Sequence, residues 1–546
     1  MARAKEGRRN RNRFGNPKKD NYFEKASAGL PKKPLKAATP GVTMGMEKHR
    51  PALFELNTRV FLQEKNTREK AKKGFDAIED SFLKDLQKKG IDFLWLLGVW
   101  KTGPAGRQVS QSNPAWQDSF KKALPDVDQE DITGSPFAIR SYQVDPVLGG
   151  ARSLARLRQR AKALGLGICL DFVPNHTAMD HPWVKEKPHF YIQGTQADLD
   201  SSPENFISLK TKEGPKIFAH GKDPYFPGWA DTLQLNYHNK EFRQAMKGEL
   251  VRIAKSCDAL RCDMAMLVLP EVFDKTWSKP AGAKNSQVVS GDFWPEAIRL
   301  AKKANPPILF IAEAYWNMEW KLLSQGFDFA YDKKLYDRLV HGDGNGVRLH
   351  LGADWDYNCK MVRFLENHDE PRALEAFGFD KEKAAAIISY FSPGLLFFHE
   401  GQWDGRKVQT SIHLNRRQKE KPVKEVQAFY LKLLKALALP NLRAGMWQLG
   451  APAPVWEGNA TWGQITAMFR QGTEGEIYLA AVNYGASQGQ CRLTCPFPTL
   501  EGKNWNLRDL LGGPSFVRGG DEMASQGLFI DLPPWGCHLF AFEPQT

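Results

Sequence analysis

The sequence has few of the features that mark a secreted or membrane protein. Its 546 residues contain seven cysteines, an odd number, and the longest apolar runs resemble IDFLWLLGVW. Such runs are about half the ~20 residues that a membrane-spanning helix needs. No apolar segment follows the first residues in the manner of a secretory signal. We therefore expect a cytoplasmic protein with reduced thiols and no membrane partner.

Unbalanced positive charge is scarce outside one segment. The net charge is +14, but residues 1–50 hold 14 Lys and Arg against 4 Asp and Glu, which leaves only +4 for the other 496 residues. Segment 1–50 also has few large apolar residues, a composition typical of a disordered tail. We expect a solvated basic tail, with weak contact to RNA or another polyanion as the alternative. A nucleic-acid-binding fold is not expected, because it would spread basic charge over a folded face.

From about residue 51, short β-branched or aromatic runs alternate with longer amphipathic stretches, as in strands and helices around a parallel sheet. Most of the runs are continuously apolar, as buried parallel strands should be. The eight predicted strands are residues 53–62, 93–98, 167–173, 259–264, 308–314, 327–332, 361–369 and 395–401. Eight strands with intervening helices predict an α/β fold, a (β/α)8 barrel.

Two further parts accompany the barrel. About 55 residues rich in Pro, Gly, Asp and aromatics separate the third strand from the helix that begins near residue 239. A loop of this length is usually functional, so we predict a small inserted subdomain at about residues 177–232. After about residue 444, segments such as EIYLAAVNY alternate like antiparallel strands. The barrel is therefore predicted to span residues 51–443, and a C-terminal β-sandwich domain residues 444–546.

Acidic residues stand at the last or next-to-last position of predicted strands 259–264, 308–314 and 361–369: Asp263, Glu313 and Asp369. An unpaired buried carboxylate costs several kcal/mol, so strand interiors avoid acids. At the C-terminal mouth of a barrel, in contrast, ionisable residues share a cleft and are characteristic of catalysis. A single acid at a strand end could cap the next helix. Three that converge on one mouth indicate a catalytic site.

Glycoside hydrolysis uses such a set of carboxylates. One attacks the anomeric carbon and a second protonates the leaving oxygen, and in retaining enzymes the two lie about 5 Å apart. Arg261 is two residues before Asp263, so on a strand both side chains share a face and the guanidinium can hold Asp263 ionised as the nucleophile. Glu313 has only Ala312 and Ala314 beside it. This apolar setting should raise the pKa of Glu313 and suit it to act as the acid.

Four short segments occur in the order found in the α-amylase family, which the chain resembles over about residues 51–546. The segments are DFVPNH at 171–176, LRCDMAM at 260–266, IAEA at 311–314 and FLENHD at 364–369. The resemblance implies a retaining glycoside hydrolase that acts on α-glucosidic bonds. It also implies the layout predicted above, a (β/α)8 barrel with a domain inserted after the third strand and a C-terminal all-β domain.

The resemblance further implies a role for individual residues. Asp263 would be the nucleophile, Glu313 the general acid/base and Asp369 the third acid, which grips hydroxyls of the distorted sugar ring. His176 and His368 would form hydrogen bonds with the sugar in the cleavage subsite.

Other candidate substrate contacts lie near these segments. The stretch GSPFAI, residues 134–139, lacks the Gly-Tyr aromatic platform common in α-amylases. Phe137 or Tyr142 is therefore predicted to stack on a sugar face. Arg261 and Arg372 complete the predicted set of substrate-binding residues.

No cofactor is required for this chemistry, but a structural calcium ion is a further expectation. In many members of the family the inserted domain shares a calcium ion with the barrel, and Asn175 matches a ligand position. Asp223 and Asp231 are the other candidate ligands. Because Ca²⁺ normally takes six to eight oxygen ligands, the alternative is an Asn that only forms hydrogen bonds.

The substrate and the second half of the reaction stay open. Met266 and Leu267 stand where many α-amylases have Lys-His in contact with the acceptor sugar. The substrate is expected to be an α-glucan, a maltooligosaccharide or a related α-glucoside. Hydrolysis is the favoured reaction, and a transglycosylase would use the same covalent intermediate. An inactive amylase-like binding protein is a third alternative, and it would be expected to lack the catalytic acids.

Overall fold

The computed structural model describes residues 43–68, 74–277, 291–497 and 500–545. The strands in these ranges are β1 (Met44–Glu47), β2 (Ala52–Asn57), β3 (Phe93–Leu97), β4 (Trp100–Thr102), β5 (Ile139–Val144), β6 (Gly167–Phe172), β7 (His176–Ala178), β8 (Phe206–Thr211), β9 (Gly214–Ala219), β10 (Thr232–Gln234), β11 (Ala259–Cys262), β12 (Leu309–Ala312), β13 (Phe329–Tyr331), β14 (Met361–Arg363), β15 (Leu395–His399), β16 (Gly445–Leu449), β17 (Pro452–Ala453), β18 (Ile465–Gln471), β19 (Ile477–Asn483), β20 (Gly489–Leu493), β21 (Asn504–Asp509), β22 (Phe516–Gly519), β23 (Leu528–Leu532) and β24 (Cys537–Pro544).

The α-helices in the same ranges are α1 (Thr58–Arg68), α2 (Asp80–Lys88), α3 (Pro104–Ser112), α4 (Pro114–Ala123), α5 (Gly150–Ala163), α6 (Pro182–Glu186), α7 (Gln196–Ser201), α8 (Lys240–Ala254), α9 (Pro270–Trp277), α10 (Trp294–Ala304), α11 (Glu319–Ser324), α12 (Lys333–His341), α13 (Gly344–Leu351), α14 (Trp355–Asn358), α15 (Ala373–Phe377), α16 (Phe379–Phe391), α17 (Lys424–Leu437), α18 (Pro440–Arg443) and α19 (Gly520–Gln526).

The core of the molecule is a closed parallel barrel of eight strands. Going round the barrel, the order is β2, β3, β6, β11, β12, β13, β14 and β15, and β15 closes against β2 with Phe397 opposite Leu53. The predicted (β/α)8 fold is confirmed. The first predicted strand was too long, because β2 ends at Asn57 and α1 begins at the next residue. Parallel strands buried on both faces explain the continuous apolar runs.

Two long loops leave the C-terminal ends of barrel strands. The loop after β6 contains the hairpin β8–β9, helices α6 and α7, and the antiparallel pair β7–β10, which together form the predicted inserted domain. The loop after β3 carries α3, α4 and the antiparallel pair β4–β5. Only the first of these two excursions was predicted. Both lie at the face of the barrel where the predicted catalytic acids end their strands.

The C-terminal region consists of two antiparallel sheets with a shared core. One sheet has seven strands in the order β1, β16, β18, β19, β24, β21, β22, and the other has three in the order β17, β20, β23. Strand β18 shows the alternation that a sheet between two cores requires. Ala467 and Phe469 lie in the core between the sheets, whereas Met468 belongs to the barrel core. The seven-stranded sheet therefore packs on the barrel with its second face.

Residues 44–50 were placed in the basic tail by the sequence, but the structure makes them part of the fold. Strand β1 pairs with β16 at the edge of the seven-stranded sheet. Glu47 lies 2.9 Å from Nη1 of Arg470, and Arg50 is fully buried and donates to the carbonyl of Tyr390. The composition of this segment did not reveal that it is folded, because its contacts are backbone pairs with β16 and ion pairs of buried side chains. Residues 1–42 of the predicted tail lie outside the described residues.

In the described ranges, no helix combines the length and apolarity needed to cross a membrane. All seven cysteines are unpaired thiols. Cys169, Cys257 and Cys262 are fully buried on or beside barrel strands, where each packs as a small hydrophobic residue.

Candidate active site

Two of the predicted acids lie side by side because of the register of two parallel strands. In β11 and β12, Cys262 pairs with Ala312. The next residues, Asp263 and Glu313, therefore leave the barrel together at its C-terminal mouth. Their solvent-exposed fractions are only 6% and 2%. A buried pair of carboxylates needs a cation or protons nearby.

The cation is Arg261, which bridges the two acids. Its Nη1 lies 2.6 Å from Oδ1 of Asp263, and its Nη2 lies 2.8 Å from Oε1 of Glu313. The guanidinium has no exposed surface and lies over the rings of Trp95 and Phe137, at 5.3 and 5.2 Å from their centroids. The pairing with Asp263 agrees with the sequence interpretation. The contact with Glu313 was not predicted, because it requires the register of the neighbouring strand.

Glu313 accepts two further hydrogen bonds from residues at the C-terminal mouth of the barrel. The Tyr315 hydroxyl donates to Oε1 over 2.9 Å, and the Met264 N–H donates to Oε2 over 2.6 Å. Met264 has a φ of 40°, a left-handed backbone that is uncommon for a non-glycine residue and clusters at functional sites. Burial raises the pKa of Glu313 to about 7; Asp263 acts in the same direction and Arg261 opposes it. The raised pKa agrees with the expectation.

The third acid, Asp369, is associated with a histidine rather than an arginine. Nε2 of His368 lies 3.1 Å from Oδ2 of Asp369, and Nδ1 of His368 lies 2.5 Å from Oε1 of Glu55 on β2. Burial alone would lower the pKa of His368, but Asp369 and Glu55 hold it well above its usual range. Asp369 is the open member of the set, since 45% of its side chain is exposed.

His176 lies on the opposite side of the mouth. It begins β7, is buried, and packs edge-on against Trp229 with 5.1 Å between ring centroids. Burial lowers its pKa, although the charge of Asp263 and the backbone of Phe137 oppose that shift. A neutral imidazole has one donor and one acceptor nitrogen, the pair of groups that a sugar hydroxyl can bind.

The structure separates the two aromatic candidates for a sugar platform. The ring of Phe137 lies against the guanidinium of Arg261 and 5.4 Å from the ring of His368. Tyr142 donates its hydroxyl to the carbonyl of Val173 over 2.8 Å and accepts the Val173 N–H over 3.0 Å. Phe137 is therefore within the cluster of predicted site residues, whereas the polar end of Tyr142 is used by the backbone beneath it.

The contacts of Arg372 do not support the prediction that it binds substrate. It is buried, with Nη2 at 3.0 Å from Glu366 and Nη1 at 2.9 Å from Nδ1 of His399. It also donates to the carbonyl of Glu400. The guanidinium is thus held by protein groups, a network that the sequence could not show because His399 and Glu400 lie at the end of the neighbouring strand β15.

The residues around Asn175 do not fit a calcium ion. Oδ1 of Asn175 accepts a 3.0 Å hydrogen bond from Nε2 of Gln234, and its Nδ2 donates to Oε1 of Gln234 over 3.2 Å. Asp223 accepts the N–H groups of Tyr225 and Phe226. Across the described residues, no group of three or more His, Cys, Asp or Glu side chains could hold a metal. Asn175 is therefore placed as a hydrogen-bonding residue, the alternative given above, and a calcium ion with its six to eight oxygen ligands stays a prediction.

Two buried acids of the site were not singled out from the sequence. Glu55 contacts His368, and Asp171 accepts hydrogen bonds from Nε1 of Trp95 at 3.0 Å and from the N–H of Gly98 at 2.8 Å. Burial raises the pKa of Asp171 to about 6. The available signal was an acid within an apolar run predicted to be a buried strand, which calls for a partner.

Comparisons with known proteins agree with this architecture. Residues 86–327 match the family model of the alpha amylase catalytic domain. A maltogenic alpha-amylase from Thermotoga neapolitana has a similar structure, with a TM-score of 0.62 at 16% identity, and the match covers 90% of this chain and 98% of that one. An identity this low supports the fold alone.

Relatives of known name are matched over part of their length. Alpha-amylase 3 from Dictyoglomus thermophilum is 25% identical over 285 residues, 48% of this chain and 52% of that protein. A maltosyltransferase from Bifidobacterium animalis, named for alpha-1,4-glucan and maltose-1-phosphate, is 28% identical over 240 residues, 43% of this chain and 26% of that protein. The chain spans about half the length of the first curated relatives it matches.

Proposed function

We propose, from the match of residues 86–327 to the alpha amylase catalytic domain, that this chain is a retaining glycosidase of the alpha-amylase family that cleaves α-glucosidic bonds. The observation that carries the proposal is the bridge of Arg261 between Asp263 and Glu313 at the barrel mouth. Two carboxylates held by one guanidinium are consistent with the separation of about 5 Å that a retaining mechanism requires.

In the first step, the ionised carboxylate of Asp263 attacks the anomeric carbon of the bound sugar. Arg261 holds this carboxylate in place, because Nη1 of its guanidinium lies 2.6 Å from Oδ1 of Asp263. Glu313 transfers its proton to the leaving glycosidic oxygen. The bond between the anomeric carbon and that oxygen breaks, and a covalent glycosyl-enzyme intermediate forms on Asp263.

In the second step, Glu313 acts as a base. It takes a proton from a water molecule, or from a sugar hydroxyl, whose oxygen then attacks the anomeric carbon and releases Asp263. A pKa of about 7 suits Glu313 to both duties near neutral pH, because neither protonation state is strongly disfavoured.

The other site residues would bind the sugar that carries the anomeric carbon. Asp369 is exposed to the mouth and can accept hydrogen bonds from sugar hydroxyls, and His176 can donate to them, while His368 contacts the sugar's partner Asp369 through Nε2. The face of Phe137 supplies apolar contact for the sugar ring. Arg261 acts on this sugar through the two acids, because it is fully buried between them.

Hydrolysis is the favoured second step, and transfer to a sugar is the second candidate. The named relatives include alpha-amylase 3 and a maltosyltransferase, and both reactions pass through the same covalent intermediate. Met266 and Leu267, on the turn after β11, are buried apolar residues that stand where many α-amylases have Lys-His in contact with the acceptor sugar. They offer an acceptor no charged or polar side-chain contact.

A panel of substrates tests the proposal. Purified protein would be incubated with starch, glycogen, maltooligosaccharides, sucrose and trehalose, and the products separated by chromatography. Glucose or maltose as products would indicate hydrolysis, and products longer than the substrate would indicate transfer. Turnover of none of these α-glucosides would contradict the proposed function.

The mechanism has a separate test. Proton NMR of the first product should show the α anomer before mutarotation, since two inversions at the anomeric carbon restore its configuration. An initial β product would exclude Asp263 as a covalent nucleophile while leaving glycosidase activity in place.

A further inference from the structure

We propose that Glu55 is a positioning residue that keeps His368 doubly protonated, so that His368 can hold the carboxylate of Asp369 in the cleavage subsite. The inference rests on the proposed glycosidase function, and it adds a residue from the first barrel strand to the site. Glu55 touches neither nucleophile nor acid/base in the described contacts, and its action runs through His368.

The geometry places one carboxylate at each nitrogen of the imidazole. Oε1 of Glu55 lies 2.5 Å from Nδ1 of His368, and Oδ2 of Asp369 lies 3.1 Å from Nε2. Ionised carboxylates only accept hydrogen bonds. Both contacts are attractive only if both ring nitrogens carry hydrogen, which is the imidazolium cation.

The surroundings of His368 favour that cation. Glu55 has no exposed surface, so its attraction to His368 is little screened by water. Asp171, on β6, also interacts with the charge of His368. His399, from β15, approaches the far oxygen of Glu55 at 4.0 Å and is itself paired with Glu366. The groups that face His368 are therefore mainly acidic.

The remaining neighbours of His368 are two aromatic rings. Trp95 lies edge-on at 5.6 Å between ring centroids, and Phe137 lies at 5.4 Å. These rings exclude water from the imidazole, which makes an uncompensated charge costly there. The cation is stable in this position because Glu55 compensates it.

Loss of the second proton would change the contact with Asp369. A neutral imidazole that keeps its hydrogen on Nδ1 turns a lone pair on Nε2 toward Oδ2 of Asp369, which is repulsive. This repulsion pushes the half-exposed carboxylate of Asp369 from the position in which it meets the sugar. Glu55 thereby sets the placement of an acid that it does not contact.

The variant Glu55→Gln tests this role through the pH dependence of kcat/KM. The ratio of the wild-type value to the variant value cancels every ionisation that the two proteins share. We expect the ratio to be small at low pH, where solvent protonates His368 in both proteins, and to rise with pH to as much as about a hundredfold, the size of effect that a ~1 Å misplacement can have. A ratio that does not change with pH would show that Glu55 only supports the fold.

Two further variants serve as controls. Glu319→Gln removes another buried glutamate, which lies on α11 and has a pKa raised to about 7 by burial, and its ratio should be flat with pH. Glu55→Asp keeps a negative charge on β2 and should restore most of the alkaline activity that Glu55→Gln loses. Failure of Glu55→Asp to restore any activity, with its fold intact, would count against a role for the charge.

Thermal unfolding separates a failure of this inference from a failure of the proposed function. A raised pKa of His368 in the folded state stabilises the wild type below the unfolded pKa of about 6.5, and this contribution is lost as pH rises through the folded pKa. The Tm difference between wild type and Glu55→Gln should therefore be larger at about pH 6 than at about pH 10. An inactive wild type that shows this pH-dependent Tm difference would contradict the proposed function but support the ion pair of Glu55 and His368. A Tm difference that does not change with pH would overturn the inference.

Discussion

The two sides of the barrel mouth hold their acids with different cations. On one side, Arg261 bridges Asp263 and Glu313, and all three residues are almost completely buried. On the other side, His368 lies between Glu55 and Asp369, and nearly half of the Asp369 side chain is exposed. The guanidinium is charged at every accessible pH, whereas the imidazole is charged only as long as its carboxylates raise its pKa.

This difference matches the different roles of the two sides, bond formation on one and substrate binding on the other. The groups that form and break covalent bonds need a fixed electrostatic setting, and a buried arginine supplies it without titrating. The groups that grip a substrate must remain accessible and adjustable, and a histidine between acids allows this. The Arg261 side is thus expected to determine the rate of the chemical step, and the His368 side the binding of the sugar and its pH dependence.

The largest effect is expected from removing the reacting carboxylates on the Arg261 side. Asp263→Asn and Glu313→Gln should each lower kcat by at least ~10³-fold, because each removes a group that acts in the transition state. Circular dichroism and thermal unfolding should show an intact fold. Near wild-type turnover by either variant would assign the chemistry to other residues.

The next effect concerns the bridge itself. Arg261→Lys keeps the charge but cannot contact two carboxylates with a planar fork, so kcat/KM should fall by roughly 10²-fold. Arg363→Lys is the matched control, since Arg363 is also fully buried and paired with an acid, Asp332. It should lower Tm without a comparable loss of kcat/KM. Equal losses of kcat/KM in the two variants would mean that Arg261 contributes to packing and not to the catalytic geometry.

The pH dependence of the chemical step gives a smaller effect. Because Glu313 must be protonated in the first step, kcat/KM should fall as pH rises through about 7. Aryl α-glucosides with good leaving groups need less help from an acid, so their decline should be weaker than that of alkyl α-glucosides. Identical pH profiles for both kinds of leaving group would show that the decline of kcat/KM at high pH comes from another residue.

The smallest expected effect separates the two aromatic candidates on the binding side. Phe137→Leu should raise KM by roughly three- to tenfold, the loss of one aromatic contact. Tyr142→Phe should leave KM unchanged and lower the free energy of unfolding by roughly 1 to 3 kcal/mol, because it removes only the two hydrogen bonds that the hydroxyl forms with the Val173 backbone. The opposite assignment of the two effects would make Tyr142 the sugar platform.

The features found from the sequence were those encoded locally. Most barrel strands lie in apolar runs, and Asp263 and Glu313 directly follow β11 and β12, which made them visible in the sequence. Asp369 was also found, although β14 ends at Arg363 and the predicted strand 361–369 was therefore too long. The pairing of Arg261 with Asp263 followed from a spacing of two on one strand. The raised pKa of Glu313 was also expected, although its causes include a neighbouring carboxylate as well as burial.

The features that were missed depend on contacts between distant parts of the chain. Glu55 and His368 are 313 positions apart, and only closure of the barrel brings β2 beside the last strands. The same reasoning explains Arg372, whose partner His399 is on the next barrel strand, and Asn175, whose amide is paired with Gln234 across an insertion. A single sequence lacks the register that decides such contacts.

Strand β1 has a consequence for the order in which the molecule is assembled. Met44 pairs with Gln448, and the buried charges of Glu47 and Arg50 meet partners that come far later in the chain. During synthesis the barrel can close once β15 emerges to lie against β2, but β1 has no partner until β16 has been made. Contacts over such long sequence separations form slowly. The earliest strand described in this protein is therefore among the last to dock, and its pairing completes the attachment of the seven-stranded sheet to the barrel.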